Sequence, residues 1–241
     1  PQETLIQNSQ ELLKIDRSLL ELAIEKEIAL KSIICDLIDN TSCIFLASYY
    51  FYERQIAKIL LSIKNSDITW GDNNALKLLP QIEQELDIQL ADNQKEAIIR
   101  ALSAKLMVIT GGPGTGKTTL VKALLKTLES KQLNIKLCAP TGRAAKRLSE
   151  TTGLEATTIH RLLEIDPTHG GFKYNEENKL SCDYLIVDET SMVDVALFYS
   201  LVKALPNDAG VLLVGDVDQL PSVGAGQVLK DIINSNVITT I

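Results

Sequence analysis

The chain has 241 residues, 45% of them hydrophobic and 23% charged, an ordinary globular balance with room for one sizeable domain plus a smaller appendage. A formal net charge of −7 excludes a surface coated in basic residues but not a local basic groove, and the apolar runs are too short and interrupted to cross a membrane. Cys35, Cys43, Cys138 and Cys182 form no CxxC pair and read as reduced, buried thiols of a cytoplasmic protein. A start at Pro1 rather than methionine reads as a trimmed piece of a longer chain, so the lack of a leader sequence carries no information.

In chain order, Leu20, Ala23, Ile24 and Ile28 recur at helical spacing and predict a first helix from Ser18. Apolar runs at 35–38 and 43–46 predict a hairpin across the polar turn of residues 39–42, and a second helix covers residues 48–63. Helix, hairpin and helix make a small helical, α+β accessory domain over residues 1–66. Its Tyr49, Tyr50, Phe51 and Tyr52 are able to stack bases, but adjacent aromatics point several ways round a helix, which predicts core packing for at least half of them. "KNSDITWGDNN", residues 64–74, reads as a linker; with the helix predicted over residues 75–86 it fills the interval 67–89. A further helix is predicted from Asn93, where Asn93 and Glu96 have capping-box spacing.

From Leu106 the pattern changes to short β-rich runs, "LMVIT", "IKLCA", "YLIVD" and "VLLVG", alternating with helices. That alternation predicts an α/β domain over residues 90–241, with a mostly parallel, doubly wound sheet. "GGPGTGKTT", residues 111–119, fits GxxxxGK[ST] between a strand and a helix. Its glycines let backbone N–H groups point at phosphate oxygens, so Gly112, Pro113, Gly114, Thr115, Gly116 and Thr119 are candidate nucleotide contacts. Lys117 is expected to neutralise the outer phosphates and the Thr118 hydroxyl to ligate magnesium. "YLIVDETSMVD" ends a strand in Asp188, a second magnesium candidate, and Glu189, the candidate base for an attacking water.

These segments, with "LADNQKEAI", "CAPTGRAAKRLSE", "TTIHRLL" and "GDVDQLPSVGAGQVLKDII", stand in one order over residues 90–234. Together they resemble RecD-like superfamily 1 DNA helicases, either the stand-alone RecD-like branch or the alpha subunit of exodeoxyribonuclease V. The resemblance implies a RecA-like P-loop motor that uses ATP and magnesium and moves 5′ to 3′ on single-stranded DNA and duplex junctions in repair or recombination. It also implies partner nuclease and helicase subunits if the chain is that alpha subunit. By the same resemblance Gln94 matches an adenine-reading glutamine. Pro140, Thr141, Gly142 and Arg143 match a segment that touches the DNA backbone, with Arg143, Lys146 and Arg147 equally readable as a solvated helix face. Thr158 and His160 match a second DNA segment, and residues 166–180 stand where a strand-separating pin can occur. Gln219 is expected to sense the γ-phosphate or the attacking water from a strand beside that of Asp188, with Pro221, Ser222 and Val223 continuing toward DNA. A motor of this class needs a second RecA-like domain with an arginine finger. The chain stops at Ile241 without one, which predicts weak nucleotide binding, poor hydrolysis and no unwinding by these residues alone. Another P-loop ATPase or kinase, and a non-catalytic nucleic-acid-binding module, are the alternatives.

Overall fold

Two compact units, Pro1–Gln55 and Ile56–Ile241, make up the computed structural model, which describes residues 1–70, 75–112, 114–168 and 170–241. In the first unit, α1 (Gln2–Leu13) and α2 (Arg17–Ala29) precede a hairpin of β1 (Ile33–Ile38) and β2 (Thr41–Leu46). Helix α3 (Ala47–Asn65) then carries the chain into the second unit. Helix α1 was not expected from the sequence. Its only buried residue is Ile6, so no apolar stripe announces it. It is tied down by polar contacts instead: Arg17 forks onto the Glu3 carboxylate at 2.6 and 2.7 Å and also reaches Glu21 at 2.6 Å.

The hairpin turn is tighter than predicted. Ile38 pairs with Thr41, so only Asp39 and Asn40 form the turn, and both have positive φ, 47° and 61°. That is the type I′ geometry matching the twist of paired strands, and Asp and Asn tolerate it. Thr41 and Ser42 therefore belong to β2. The cysteine expectation needs correcting: all four are free, Cys138 and Cys182 are buried, but Cys35 is exposed and Cys43 half-buried on the hairpin. The aromatic cluster on α3 has no fully buried member; Phe51 is exposed and the three tyrosines are half-buried.

The second unit is built on a six-stranded parallel sheet in the order β5-β4-β6-β7-β3-β8, made of β3 (Leu106–Thr110), β4 (Ile135–Ala139), β5 (Ala156–Thr158), β6 (Tyr184–Val187), β7 (Gly210–Gly215) and β8 (Thr239–Thr240). Helices α4 (Ala75–Leu86), α5 (Asp92–Leu102), α6 (Lys117–Glu129), α7 (Gly142–Thr152), α8 (Ile159–Leu163), α9 (Val195–Lys203) and α10 (Val228–Asn234) complete it. The α/β class and four of the strands are as predicted. The edge strands β5 and β8, of three and two residues, are too short to carry a periodic signal. Strands β6 and β7 are buried along their whole length, as strands of a sheet covered on both faces must be.

Residues 71–74 of the predicted linker lie outside the described residues, but Trp70 is a core residue of the second unit. Its ring meets that of Tyr184 at 5.3 Å, its indole N–H donates to the Leu102 carbonyl at 3.0 Å, and the Lys105 ammonium lies 4.5 Å from its ring centroid. Leu79 and Ile82 of α4 belong to the same core. Helix α5 starts at Asp92, one residue earlier than predicted, which makes Ala91 the cap and Gln94 the third residue. The expected Asn93–Glu96 box is replaced by the Gln94 amide oxygen accepting the Ala91 N–H at 3.0 Å.

Candidate nucleotide-binding site

Parallel strands all end on one side of a sheet, and loops leaving neighbouring strands converge there. Three such exits, from β3, β6 and β7, build the site. After β3 the loop turns through Gly114 and Gly116, with φ of 78° and 84°, a conformation L side chains rarely adopt. At Gly116 a Cβ would also stand 2.5 Å from the Gln94 amide nitrogen, so the Gln94 side chain lies directly against the loop. Gly116 caps α6 without any side-chain cap, which leaves the first-turn N–H groups of that helix free to face an anion. Thr115 braces the loop by donating to the Gly112 carbonyl at 2.9 Å. The Lys117 ammonium curls back over the loop, donating to the carbonyls of Gly111 and, at 2.8 Å, Gly112.

Strand β6 delivers Asp188 and Glu189. The Asp188 N–H is anchored on the Cys138 carbonyl of β4 at 2.9 Å, and the Asp188 carboxylate accepts the Glu189 N–H at 2.9 Å. Glu189 itself has φ 51° and ψ 41°, left-handed backbone at a non-glycine residue, where strain is tolerated when the surroundings enforce it. Here the enforcement is a 3₁₀ turn, Thr190–Met192, whose Thr190 hydroxyl is buried and donates to the Val187 carbonyl at 3.0 Å. Burial pushes the Asp188 carboxyl above the ordinary carboxylate range, against the Glu189 N–H and the charges of Arg147 and Lys117. Glu189 is also raised, first by burial and then by the negative charges of Asp188 and Asp216, with Arg147 and Lys117 opposing. A carboxylate made more basic in this way suits proton abstraction from water.

Strand β7 lies between β3 and β6, hydrogen-bonded to both, so the strand carrying Gln219 does run beside that of Asp188. Past its end, the buried Asp216 accepts the Gln219 side-chain N–H at 3.1 Å and the Asp218 N–H at 3.0 Å. One Gln219 N–H is thereby engaged, leaving its amide oxygen and second N–H for a water or phosphate oxygen. A single cleft of about 340 Å³ is lined by Gly112, Gly114, Thr115, Gly116, Lys117, Thr118, Asp188, Glu189 and Gln219 together. Thr119 and Gln94 do not line it, and Pro113 lies outside the described residues. Gln94 sits against Gly116, but its amide oxygen is engaged in the α5 cap, so only its nitrogen is unengaged for reading a base. Arg147 and Thr151 of α7 line the same cleft, although the sequence reads Arg147 only as a DNA-side or solvated cation and does not single out Thr151.

Magnesium is suited to such a place, because it binds through one or two protein oxygens plus substrate phosphates and water. The Thr118 hydroxyl and Asp188 carboxylate share the cleft, and among the described residues there is no group of three or more His, Cys, Asp or Glu that would hold a metal unaided.

A protein-family model described as "AAA domain" matches residues 94–225. The chain belongs to that family. Within it the RecD-like resemblance of the motifs holds. The "ATP-dependent RecD2 DNA helicase" of Deinococcus radiodurans is 42% identical over 183 residues, 76% of this chain and 25% of that protein. The "RecBCD enzyme subunit RecD" of Mycobacterium tuberculosis is 37% identical over 214 residues, 79% of this chain and 36% of that protein. This AAA domain chain thus spans between a quarter and two fifths of these relatives' lengths. Among solved structures, the Pif1 helicase from Candida albicans is 26% identical, covering 57% of this chain and 34% of that one, with a TM-score of 0.46.

The candidate DNA residues of this AAA domain chain fall at the same sheet end but in two places. Ala139 of β4 pairs with Thr158 of β5, which puts the turn of Pro140, Thr141 and Gly142 beside Thr158. Both threonines cap helices: the Thr141 hydroxyl accepts the Ala144 N–H and that of Thr158 the Arg161 N–H, each at 3.2 Å. Arg143 and His160 are exposed, and the His160 ring meets Phe172 at 5.8 Å. Residues 164–173 close a short turn, with Ile165 bridging Phe172 and Lys173 paired to Glu164 at 2.8 Å; residue 169 lies outside the described residues. Pro221, Ser222 and Val223 follow β7 instead. Leu220 and Val223 are almost wholly exposed there, while Ser222 donates to the Gly224 and Gly226 carbonyls at 2.9 and 3.1 Å. At Gly226, φ is 96° and a Cβ would overlap the Val195 side chain, so the loop lies directly on the start of α9. No spacing or composition signal announces that contact, which links the loop after Gln219 to the segment after Glu189.

Proposed function

We propose that the chain is the nucleotide-hydrolysing motor portion of a DNA helicase that couples magnesium-dependent ATP hydrolysis to 5′ to 3′ movement along single-stranded DNA, in the cytoplasm and in repair or recombination. One observation carries the reading: a phosphate-cradling loop, two carboxylates and a tethered glutamine meet in one cleft. Lys117 leaves its carbonyl partners to neutralise the outer phosphates, while the uncapped first turn of α6 receives them. The Thr118 hydroxyl and the Asp188 carboxylate would hold magnesium, which would supply charge neutralisation on the phosphates. Glu189 takes the proton of the attacking water, and Gln219, steadied by Asp216, orients that water. The Pro140–Arg143 turn, Thr158, His160 and the Pro221–Val223 loop are the residues assigned to DNA, and partner subunits follow if the complete protein is a RecD subunit.

The relatives' names and the ordered motifs support this reading, and no helix among the described residues is long and apolar enough to cross a membrane. The test is strand displacement by the gene's complete product on duplexes carrying a 5′ or a 3′ single-stranded tail. ATP-dependent unwinding confined to the 5′-tailed substrate is expected. Unwinding from the 3′ tail overturns the polarity, and unwinding that does not depend on ATP, or none on either substrate, overturns the helicase reading.

A further inference from the structure

Helix α7 carries three cations that the sequence could not tell apart, and the structure separates them. Lys146 reaches Glu150 on the exposed side of the helix at 3.8 Å. Arg143 stands in the first turn, next to the Thr141 cap. Arg147 lines the nucleotide cleft with Leu148, Thr151 and Thr152, facing Lys117, Asp188, Glu189 and Gln219. It has no hydrogen bond or ion pair with any described residue, and its charge reaches both carboxylates. The helix that presents it is fixed at both ends, by the Thr141 cap and by left-handed Gly153 at φ 75°, and is seated through buried Ala145 and Leu148.

We propose that Arg147 is a phosphate-binding arginine of this cleft, supplied from within the same domain, and that it contacts the terminal phosphate of a nucleoside triphosphate beside Glu189. The inference rests on the reading of the cleft as a nucleotide site. A guanidinium presents forked donors that match phosphate oxygens, stays charged at every working pH and loses little freedom when it binds. Lys117 and the turn at Gly114–Gly116 serve the phosphates from the β3 side. Arg147 reaches the same cleft from α7, close enough to Asp188 and Glu189 for its charge to act on both, which puts it at the end of the phosphate chain where the attacking water is held. An exposed arginine on a well-seated helix is dispensable for folding, which makes it open to substitution.

The experiment titrates the gene's complete product with a non-hydrolysable triphosphate analogue and with ADP, both with magnesium, following binding calorimetrically for wild type, Arg147→Met, Arg147→Lys and Lys117→Ala. Losing a charged phosphate contact is expected to weaken the triphosphate about tenfold or more in Arg147→Met. ADP affinity should change much less, and Arg147→Lys should recover part of the loss. Equal weakening of both nucleotides, or none, in Arg147→Met while Lys117→Ala still weakens both overturns the assignment of Arg147 and leaves the cleft reading intact. Nucleotide binding by Lys117→Ala equal to wild type overturns the cleft reading and the assignment with it.

Discussion

The two units differ in how they hold together. In Pro1–Gln55 the only buried hydrophobic residue is Ile6, whereas Leu12, Leu19, Leu22, Leu30, Leu37 and Leu46 are more than half exposed. Hydrogen bonds and ion pairs on half-buried or exposed groups do the fastening there, such as Arg17 on Glu3, Ser42 on Gln2 at 2.8 Å and Tyr50 on Asp36 at 2.6 Å. Ile56–Ile241 instead surrounds its sheet with a continuous apolar core, and strands β6 and β7, which lead into Asp188, Glu189 and Gln219, are buried throughout. Small units bury too little surface to be rigid on their own, while a deep core is what holds catalytic groups within a fraction of an ångström. Precision chemistry therefore belongs to the second unit.

Substitutions break or sharpen this contrast in a definite order. Trp70→Ala removes the ring between Tyr184 and Lys105 and is expected to cost about 3–5 kcal/mol in chemical denaturation of the second unit. A loss below about 1 kcal/mol contradicts the view that residues before α4 are part of this core. Gly226→Val forces a side chain into Val195 at a left-handed position, and a penalty of about 1–3 kcal/mol in the same assay is expected, together with weaker DNA stimulation of hydrolysis. Glu83 accepts the Leu90 N–H at 2.7 Å and pairs with Lys95 at 3.1 Å, and these hold its carboxyl below the usual range. Its contribution is present above the unfolded carboxyl pKa, near 4.3, and fades as pH falls through the lower folded value. Glu83→Gln should therefore lower stability at neutral pH and flatten the acid limb of the stability curve; an unchanged limb contradicts the contact. At the small end, Leu22→Ser, at a side 63% exposed, should shift stability by no more than about 0.5 kcal/mol, and a larger loss would reveal a core in the first unit that the structure does not contain.

The same contrast decides what could be read from sequence. Strands such as "YLIVD" and the loop "GGPGTGKTT" announce themselves because a buried parallel strand is apolar at every position and a phosphate cradle needs glycines at fixed places. Helix α1 does not, since it buries one residue, and neither do β5 and β8, which are shorter than any pattern. Trp70 looked like part of a linker because its neighbours are polar; its packing partners Tyr184 and Leu102 are distant in the chain. Arg147 and Lys146 are adjacent and chemically alike, so only the direction of α7 assigns one to the cleft and the other to Glu150. Gln219 was placed correctly beside the strand of Asp188, but its tether on Asp216 depends on a loop geometry that no spacing rule specifies.

The central claim is that Glu189 activates water for hydrolysis in a cleft that Lys117 and the glycine loop build for phosphate. It is tested most directly by pairing nucleotide binding with steady-state ATP hydrolysis, in the presence of single-stranded DNA, for the complete gene product and its Glu189→Gln variant. Removal of a general base predicts unchanged nucleotide affinity with hydrolysis reduced by about 10²–10⁴-fold. Hydrolysis within a few fold of wild type, with binding intact, would contradict the account.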